Sequence, residues 1–202
     1  MEKLSVFCYG EIGIDNIIEA DQLPTPEIAV FPKSESYHVG GAAANTGIWL
    51  AHMGVAVGLS GNAVGNDQYG DLLISRLKEY SNLDLNLVQV QEGIPTPFTR
   101  AIVTPDGERS FLIFYYPETP KIPFTLDQLN GARYLALDLY GGEERLEAAK
   151  KAHTAGVKTA IGDVVWKDHP CCLLRVSRLI PEVIYVTFFQ ALMCASTHTS
   201  CR

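Results

Sequence analysis

Two adjacent glycines and a nearby asparagine form the stretch of this sequence that is most suggestive of chemistry. Gly40 and Gly41 lead into a predicted helix whose first turn carries Asn45 among alanines and which ends at Gly54. Glycines permit a tight turn and let another group approach the backbone closely. The unpaired N–H groups of a helix start, together with the donor and acceptor of an amide, suit a polyol or a sugar. The same residues also fit a plain strand-to-helix turn before a core helix.

Two further polar segments follow predicted strands. Asp15 closes residues 10–15, directly after the first strand, and its carboxylate could accept two hydroxyl protons of a sugar, although a turn cap is an alternative role. Asp67 opens a second predicted helix, where a helix cap is favoured over a ligand contact. Because ligands of parallel α/β sheets bind beyond the carboxyl ends of the strands, we expect these segments to meet in one crevice.

Hydrophobic periodicity predicts an alternating order of strands and helices. Strand patterns occupy residues 4–9, 55–60, 133–139, 157–162 and 183–186; helix patterns occupy 42–54, 67–80 and 143–155; and a hairpin pattern occupies 97–104 and 109–116. Strands separated by helices favour an α/β fold with a doubly wound, mostly parallel sheet. The hairpin does not fit that sheet, so we expect it to leave the sheet as a flap.

The composition limits the classes of partner. The formal net charge is −7 at pH 7, and hydrophobic residues make up 47% of the chain. An acidic globular chain argues against nucleic acid or an anionic membrane surface as the main partner. The sequence contains neither an apolar run long enough to span a membrane nor a signal-peptide pattern at its N-terminus, so we expect a cytoplasmic location.

Three motifs, in this order and spacing, resemble the ribokinase-like (PfkB-type) carbohydrate kinase family over about residues 4–165. They are G-x-I-x-x-D ending at Asp15, G-G-x-x-x-N ending at Asn45, and V-G-x-D-x-x-G at residues 64–70. The resemblance implies a Rossmann-like domain with a small β lid that closes over the sugar. In this chain the lid would be built from parts of residues 15–39 and the hairpin at 97–116.

The resemblance also implies which residues would bind a small-molecule sugar or nucleoside. Lid side chains such as Phe98 would close over the substrate from above. Tyr140, at the end of a predicted strand, falls where relatives often place another sugar-facing side chain. Some relatives dimerise through the lid hairpin, so a homodimer is a further expectation. The substrate-binding residues expected from the resemblance are Gly13, Asp15, Gly40, Gly41, Asn45, Phe98 and Tyr140.

The reaction of the family moves the γ-phosphoryl group of ATP to a sugar hydroxyl with the help of Mg²⁺, so ATP and Mg²⁺ are the implied cofactors. Relatives carry the base and an anion hole in a D-T-x-G-A-G-D-like segment, and an N-x-x-E element near the metal. This sequence contains no D-T-x-G-A-G-D-like segment, and residues 187–191, where N-x-x-E is expected, contain neither Asn nor Glu. We therefore expect no catalytic, cofactor-binding or metal-binding residues in this chain, and no useful kinase turnover from it alone.

Residues 167–202 differ from the rest of the sequence. Residues 1–166 are acidic, whereas residues 167–202 are slightly basic and hold four of the 5 cysteines. We expect residues 1–166 to be the N-terminal portion of a ribokinase-like domain, followed by a divergent or truncated tail, with the C-terminal part of the fold missing. A frameshift, a truncation and a natural short product are all compatible with this pattern.

Two other functional classes stay open. A nucleotide-dependent oxidoreductase would need G-x-G-x-x-G after the first strand, and residues 10–13 lack that spacing. A non-catalytic sugar-binding or interaction protein would use Asp15 and Asn45 without ATP turnover. A sugar titration combined with a turnover assay would distinguish this second class from an active kinase.

Overall fold

Six parallel strands form the central sheet of the part that the computed structural model describes, residues 3–138, 140–162 and 184–186. The strands are β1 (Val6–Gly10), β4 (Val57–Gly61), β6 (Leu83–Asp84), β10 (Tyr134–Leu137), β11 (Lys158–Gly162) and β12 (Ile184–Val186). Their spatial order is β12-β11-β10-β1-β4-β6. Along the chain, the strands that follow β1 first add to one side of it, as far as β6. Later, β10 adds to the other side of β1. The strand order therefore reverses between β1 and β10, where sheets of this kind bind ligands.

Helices cover both faces of this sheet. α1 (Ala42–His52) and α2 (Gln68–Leu77) pack on one face, and α3 (Glu143–Thr154) packs on the other. Within β1, Cys8 contacts the core on the α1 and α2 side, whereas Phe7 and Tyr9 contact the core on the α3 side. This alternation is that of a strand buried on both faces, and it confirms the predicted doubly wound α/β fold. No helix among the described residues is long and apolar enough to cross a membrane.

A second sheet of four strands forms the lid. Its strands are β2 (Gly13–Glu19), β3 (Ser34–Gly40), β8 (Phe98–Val103) and β9 (Arg109–Phe114), in the order β3-β2-β8-β9. β2 pairs antiparallel with β3 and parallel with β8, and β8 and β9 form the predicted hairpin. Two short strands, β5 (Val64–Gly65) and β7 (Val90–Gln91), pair with each other, and residues Leu126–Leu129 form a 3-10 helix.

Some of the sequence predictions fall outside the described residues. Of the predicted tail, only the backbone of β12 is described, and it adds the last parallel strand to the sheet beside β11. The segment at 187–191, the cysteines of the tail and any structure in 163–183 lie outside the described ranges.

Candidate functional site

The turn between β1 and β2 connects the central sheet to the lid and forms the floor of the candidate site. The Asn62 side chain holds Ile12, because its Oδ1 accepts from the Ile12 N–H at 2.8 Å and its Nδ2 donates to the Ile12 carbonyl at 3.0 Å. The carbonyl of Glu11 accepts from the N–H groups of Ala43 and Ala44 at 3.2 and 3.3 Å. The turn thus pairs two N–H groups that a helix start leaves free, and it fixes α1 relative to the lid.

The Gly40–Gly41 turn brings the start of α1 against this floor. Gly41 has φ +86°, and a Cβ there would lie 2.3 Å from the Glu11 carbonyl oxygen, so only glycine fits. Asn45 follows in the first helical turn, where its N–H donates to the Gly41 carbonyl at 3.0 Å. Among the described residues, the half-buried Asn45 side-chain amide has no hydrogen-bond partner. Its donor and its acceptor are both left for a ligand.

Asp15 lies on β2, close beside Gly40. A Cβ on Gly40 would lie 2.2 Å from Asp15 Oδ1, so the carboxylate occupies the space that this glycine leaves. Thr99 pairs with Asp15 across β2 and β8, so the two side chains lie on the same face of the lid sheet. Burial raises the pKa of Asp15 to about 6. No cation pairs with Asp15 in the part of the chain that the structure describes. The carboxylate therefore has acceptor positions free for ligand hydroxyls.

Gly13 lies against the phenol of Tyr116. A Cβ on Gly13 would lie 2.3 Å from Tyr116 Oη and 2.6 Å from the Pro97 carbonyl oxygen. The Tyr116 side chain is buried, and burial holds its pKa well above the usual range, with the charge of Asp15 as a second cause. The space at this predicted binding residue is therefore filled by a side chain of the protein itself.

Phe98 lies on the other face of the lid from Asp15. It pairs with Ile14, the neighbour of Asp15 along β2, and adjacent residues of a strand point to opposite faces. Its ring packs on Tyr69 of α2 at 5.0 Å and on Phe114 at 5.7 Å, measured between ring centroids. The structure therefore places Phe98 in the core beneath the lid and does not bring it together with Asp15.

A buried ion pair occupies the carboxyl end of β10. Asp138 Oδ1 accepts from Arg145 Nε at 3.1 Å, with side-chain exposures of 0% and 1% respectively. Asp138 Oδ2 accepts from the Glu11 N–H, and Arg145 also pairs with Glu144 and lies 4.6 Å from the centroid of the Tyr9 ring. Asp138 thus ties α3 to the turn that forms the floor of the site. With both oxygens engaged inside the protein, it is a positioning group.

Tyr140 lies close to this ion pair, in the connection between β10 and α3. Its N–H donates to Asp138 Oδ1 at 3.2 Å, and about half of the residue is exposed (49%). The structure therefore connects Tyr140 to the buried ion pair. A direct contact between Tyr140 and a substrate stays a prediction.

Asp67 caps α2, as its position in the sequence predicts. Its Oδ1 accepts from the N–H groups of Tyr69 and Gly70 at 3.1 and 2.8 Å. The same carboxylate accepts from the N–H and the hydroxyl of Thr96, at 2.9 and 2.7 Å. Because Thr96 lies just before β8, the cap also fixes the point where the chain enters the lid.

Four residues that build the site were missed in the sequence. Asn62 and Asp138 each come directly after a strand of the central sheet, so the signal that singled out Asp15 could have found them as well. Thr99 and Tyr116 belong to the lid hairpin and the turn after it. Their closeness to Asp15 depends on strand register, which periodicity alone does not give.

No group of three or more His, Cys, Asp or Glu side chains in the described ranges is placed to hold a metal ion. The described residues of the site offer one free carboxylate, Asp15, and one free amide, Asn45. This donor set suits hydroxyl groups better than Mg²⁺, which prefers several oxygen ligands and bound phosphates.

Comparison with known families gives the class of this protein. A model described as pfkB family carbohydrate kinase matches residues 3–189. The chain therefore belongs to the pfkB family of carbohydrate kinases, and the resemblance seen in its motifs is confirmed. The match continues past residue 166, beyond the predicted N-terminal portion of the domain.

Individual relatives agree with this assignment. The uncharacterized sugar kinase YegV of Escherichia coli is 31% identical over 114 residues, which are 55% of this chain and 34% of YegV. The nucleoside kinase of Methanocaldococcus jannaschii superimposes with a TM-score of 0.69 at 20% identity, over 91% of this chain and 69% of that one. Arabidopsis thaliana ribokinase, solved with ribose and ATP, gives a TM-score of 0.62 at 20% identity, over 81% of this chain and 54% of that one. The fold is that of ribokinase, and the chain spans about a third of the length of YegV.

Proposed function

We propose that this chain forms the acceptor-binding part of a carbohydrate kinase site, in which Asp15, Gly41 and Asn45 hold the hydroxyl groups of a sugar or nucleoside. The observation that carries the proposal is the pair of polar groups beside the Gly40–Gly41 turn that keep free hydrogen-bonding positions. The Asp15 carboxylate lies against Gly40 without a cation, and the Asn45 amide lies one helical turn beyond Gly41 without a partner among the described residues.

The chemistry of these groups fits a polyol. A buried carboxylate that lacks a cation is costly unless hydrogen-bond donors reach it, and ligand hydroxyls would supply them. Asn45 can donate to one ligand oxygen and accept from another hydroxyl. Held between the two, a substrate hydroxyl would be oriented for phosphoryl transfer, which depends largely on positioning.

The pKa of Asp15 gives this binding a pH dependence. Since burial raises that pKa to about 6, the carboxylate is ionised above pH 6 and protonated below it. An ionised carboxylate accepts hydroxyl hydrogen bonds more strongly than a neutral acid. Binding is therefore expected to strengthen as the pH rises from 5 to 7.

We further propose that ATP and Mg²⁺ chemistry is not completed by this chain alone. The proposal is supported by the sequence, which lacks the D-T-x-G-A-G-D-like segment of the family. A chain that binds sugar without releasing ADP would also fit a non-catalytic sugar-binding or interaction protein. Membership of a kinase family favours part of a kinase site over that alternative.

Isothermal titration calorimetry with D-ribose, D-fructose, adenosine and inosine tests the binding proposal. Asp15→Asn and Asn45→Ala are each expected to weaken the binding of the best ligand about 10- to 100-fold, the effect of losing one strong hydrogen bond. Asp71→Asn, at an exposed position of α2, is the matched control and should bind normally. Unchanged affinity in both site variants, or no binding by the unmodified chain, would contradict the proposal. ADP release measured on the same panel tests for turnover.

A second copy of the chain is the partner that we propose for the lid. β9 pairs with β8 and forms an edge of the described lid sheet, and its Leu112 and Ile113 side chains, on opposite faces, are 53% and 63% exposed. Exposed apolar edge strands are prone to pair with another chain. Light scattering after size exclusion should show a dimer that Ile113→Lys disrupts and that Met53→Lys, at the exposed end of α1, leaves intact. A monomer in the unmodified protein would contradict this.

A further inference from the structure

His38 and Asp15 lie directly opposite each other on two neighbouring strands of the lid. They are register partners in the antiparallel pair of β2 and β3. The side chains of two opposed residues in such a pair lie on the same face of the sheet, with Cβ atoms about 4.5 to 5.5 Å apart. His38 is exposed. The lid therefore presents an imidazole next to the carboxylate of the candidate site.

The two side chains do not pair with each other. No ion pair joins His38 to Asp15 in the part of the chain that the structure describes. Asp15 Oδ1 lies over Gly40, where it would be 2.2 Å from an added Cβ. His38 Nε2 lies 2.9 Å from Ser36 Oγ, two residues back on the same face of β3. The carboxylate and the imidazole thus lean in opposite directions along β3, and each keeps hydrogen-bonding positions for a third group.

The contact with Ser36 decides which ring nitrogen of His38 is available. Ser36 engages Nε2, and Nδ1 has no partner among the described residues. When a serine hydroxyl donates to one ring nitrogen of a neutral imidazole, the other nitrogen carries the proton. The Nδ1–H group of His38 is then a donor, whereas the ionised carboxylate of Asp15 can only accept. One ligand hydroxyl could donate to Asp15 and accept from His38.

We propose that His38 is a further ligand-binding residue of the candidate site, whose Nδ1–H donates to the same ligand hydroxyl that donates to Asp15. The proposal rests on the proposed function of Asp15 as a hydroxyl acceptor, and it adds a second contact from the lid. Ser36 is a positioning residue, which holds the ring and fixes its tautomer. The pair of contacts selects a hydroxyl over a carbonyl or ether oxygen, because neither of these can donate to Asp15.

The other polar side chains of β3 do not replace His38. Glu35 and Tyr37 lie on the opposite face of the strand, because adjacent residues of a strand alternate. There the Tyr37 hydroxyl donates to Glu35 Oε1 at 2.9 Å, and Asn16 Nδ2 donates to the same oxygen at 2.9 Å. This second network joins the strands of the lid to each other on the face away from Asp15.

Isothermal titration calorimetry at pH 8 with D-ribose, D-fructose, adenosine and inosine tests the proposal. His38→Ala should weaken the binding of the best of these ligands about 3- to 10-fold, the effect of losing one hydrogen bond between neutral groups. His38→Asn should keep most of the affinity, because its amide lies close to the position of Nδ1. His38→Gln places its amide nearer to Nε2 and should bind as weakly as His38→Ala. His153→Ala, at an exposed position near the end of α3, is the matched control and should bind normally.

Nitrogen NMR of the imidazole rings gives a readout that a merely structural role would not move. At pH 8 we expect the proton of His38 on Nδ1, and Ser36→Ala should shift its population toward Nε2. Addition of the best ligand should shift the Nδ1 resonance of His38 and leave the resonances of His153 in place. A His38 ring that is protonated on Nε2 and does not respond to the ligand would overturn the proposal.

The outcomes separate this proposal from the proposed function. If Asp15→Asn weakens binding and His38→Ala does not, the role of His38 is wrong and that of Asp15 stands. If the unmodified protein binds none of the four ligands, both proposals are overturned. A purely structural role for His38 would lower the melting temperature of its variants without distinguishing them in affinity. Equal affinities of His38→Asn and His38→Gln would therefore contradict the assignment of Nδ1 as the donor.

Discussion

Two aspartates near the carboxyl edge of the central sheet have opposite surroundings. Asp138, after β10, is paired with Arg145 and with the Glu11 N–H, and it is fully buried. Asp15, on β2, is also largely buried, but no cation pairs with it among the described residues. One carboxylate is neutralised inside the protein, and the other keeps free acceptor positions beside Gly40.

This difference is the one expected between a carboxylate that stabilises the fold and one that binds a ligand, as proposed for Asp15. An ionised carboxylate in a poorly solvated place is unfavourable unless it is paired and hydrogen-bonded. Asp138 meets that condition within the fold. Asp15 does not, and its raised pKa is the consequence. A carboxylate of this kind near an amide without a partner among the described residues supports the proposed role of Asp15 in ligand binding.

The largest expected effect on the stability of the fold is at the buried ion pair between Asp138 and Arg145. Arg145→Met would leave Asp138 buried without its cation, and we expect the free energy of unfolding to fall by about 3 to 5 kcal/mol. Lys150→Met, which breaks the exposed ion pair with Glu147, is the control. It should change the free energy of unfolding by about 0.5 kcal/mol or less. Urea unfolding followed by circular dichroism measures both. Equal small effects would show that the Asp138 pair is not structural.

A smaller effect is expected at Gly40, which tests the packing of Asp15. Gly40→Ala would place a Cβ 2.2 Å from Asp15 Oδ1, so the carboxylate or the strand must move, at about 1 to 3 kcal/mol. Gly47→Ala, in α1, meets its nearest neighbour at 3.4 Å and should stabilise the helix by up to about 1 kcal/mol. Thermal unfolding of the two variants should therefore shift in opposite directions. A neutral Gly40→Ala would mean that Asp15 is not held where the structure places it.

The smallest effect is expected at Asp67, a third carboxylate whose hydrogen bonds all come from the protein. Asp67→Ala removes the cap of α2 and the contact with Thr96, and we expect a loss of about 1 to 2 kcal/mol in unfolding free energy. Hydrogen exchange should rise at the start of α2 and just before β8. If hydrogen exchange rises only within α2, the cap does not fix the entry of the chain into the lid, and this prediction is contradicted.

Much of the fold could be predicted from the sequence because its strongest patterns are local. The apolar runs of β1 and β4, the spacing of Leu73 and Leu77 in α2, and the turn around Gly107 each report on their own segment. The glycine and asparagine pattern also placed Asp15 and Asn45 beside the same turn. These signals need only the local preferences of the backbone.

The lid was harder to predict for a physical reason. β3 reads Ser34–Gly40, and most of its residues are exposed, so it lacks the alternation of apolar and polar residues that marks a half-buried strand. The face on which Phe98 lies is set by its register with Ile14, and a shift of one residue would have turned it toward Asp15. The inward position of Tyr116 depends on the left-handed turn at Tyr115, which no periodicity indicates.

The most direct test of the functional role of Asp15 is the stability of Asp15→Asn as a function of pH. The folded-state pKa of about 6 is higher than the value of about 3.9 in an unfolded chain, so the folded protein binds the proton more tightly. The unmodified protein should therefore lose stability as the pH rises from 4 to 6, and Asp15→Asn should not. We predict that urea unfolding finds the two equally stable near pH 4 and Asp15→Asn more stable by about 2 to 3 kcal/mol at pH 8. An Asp15→Asn variant that is less stable than the unmodified protein at pH 8 would show that the carboxylate serves the fold, and the account would be contradicted.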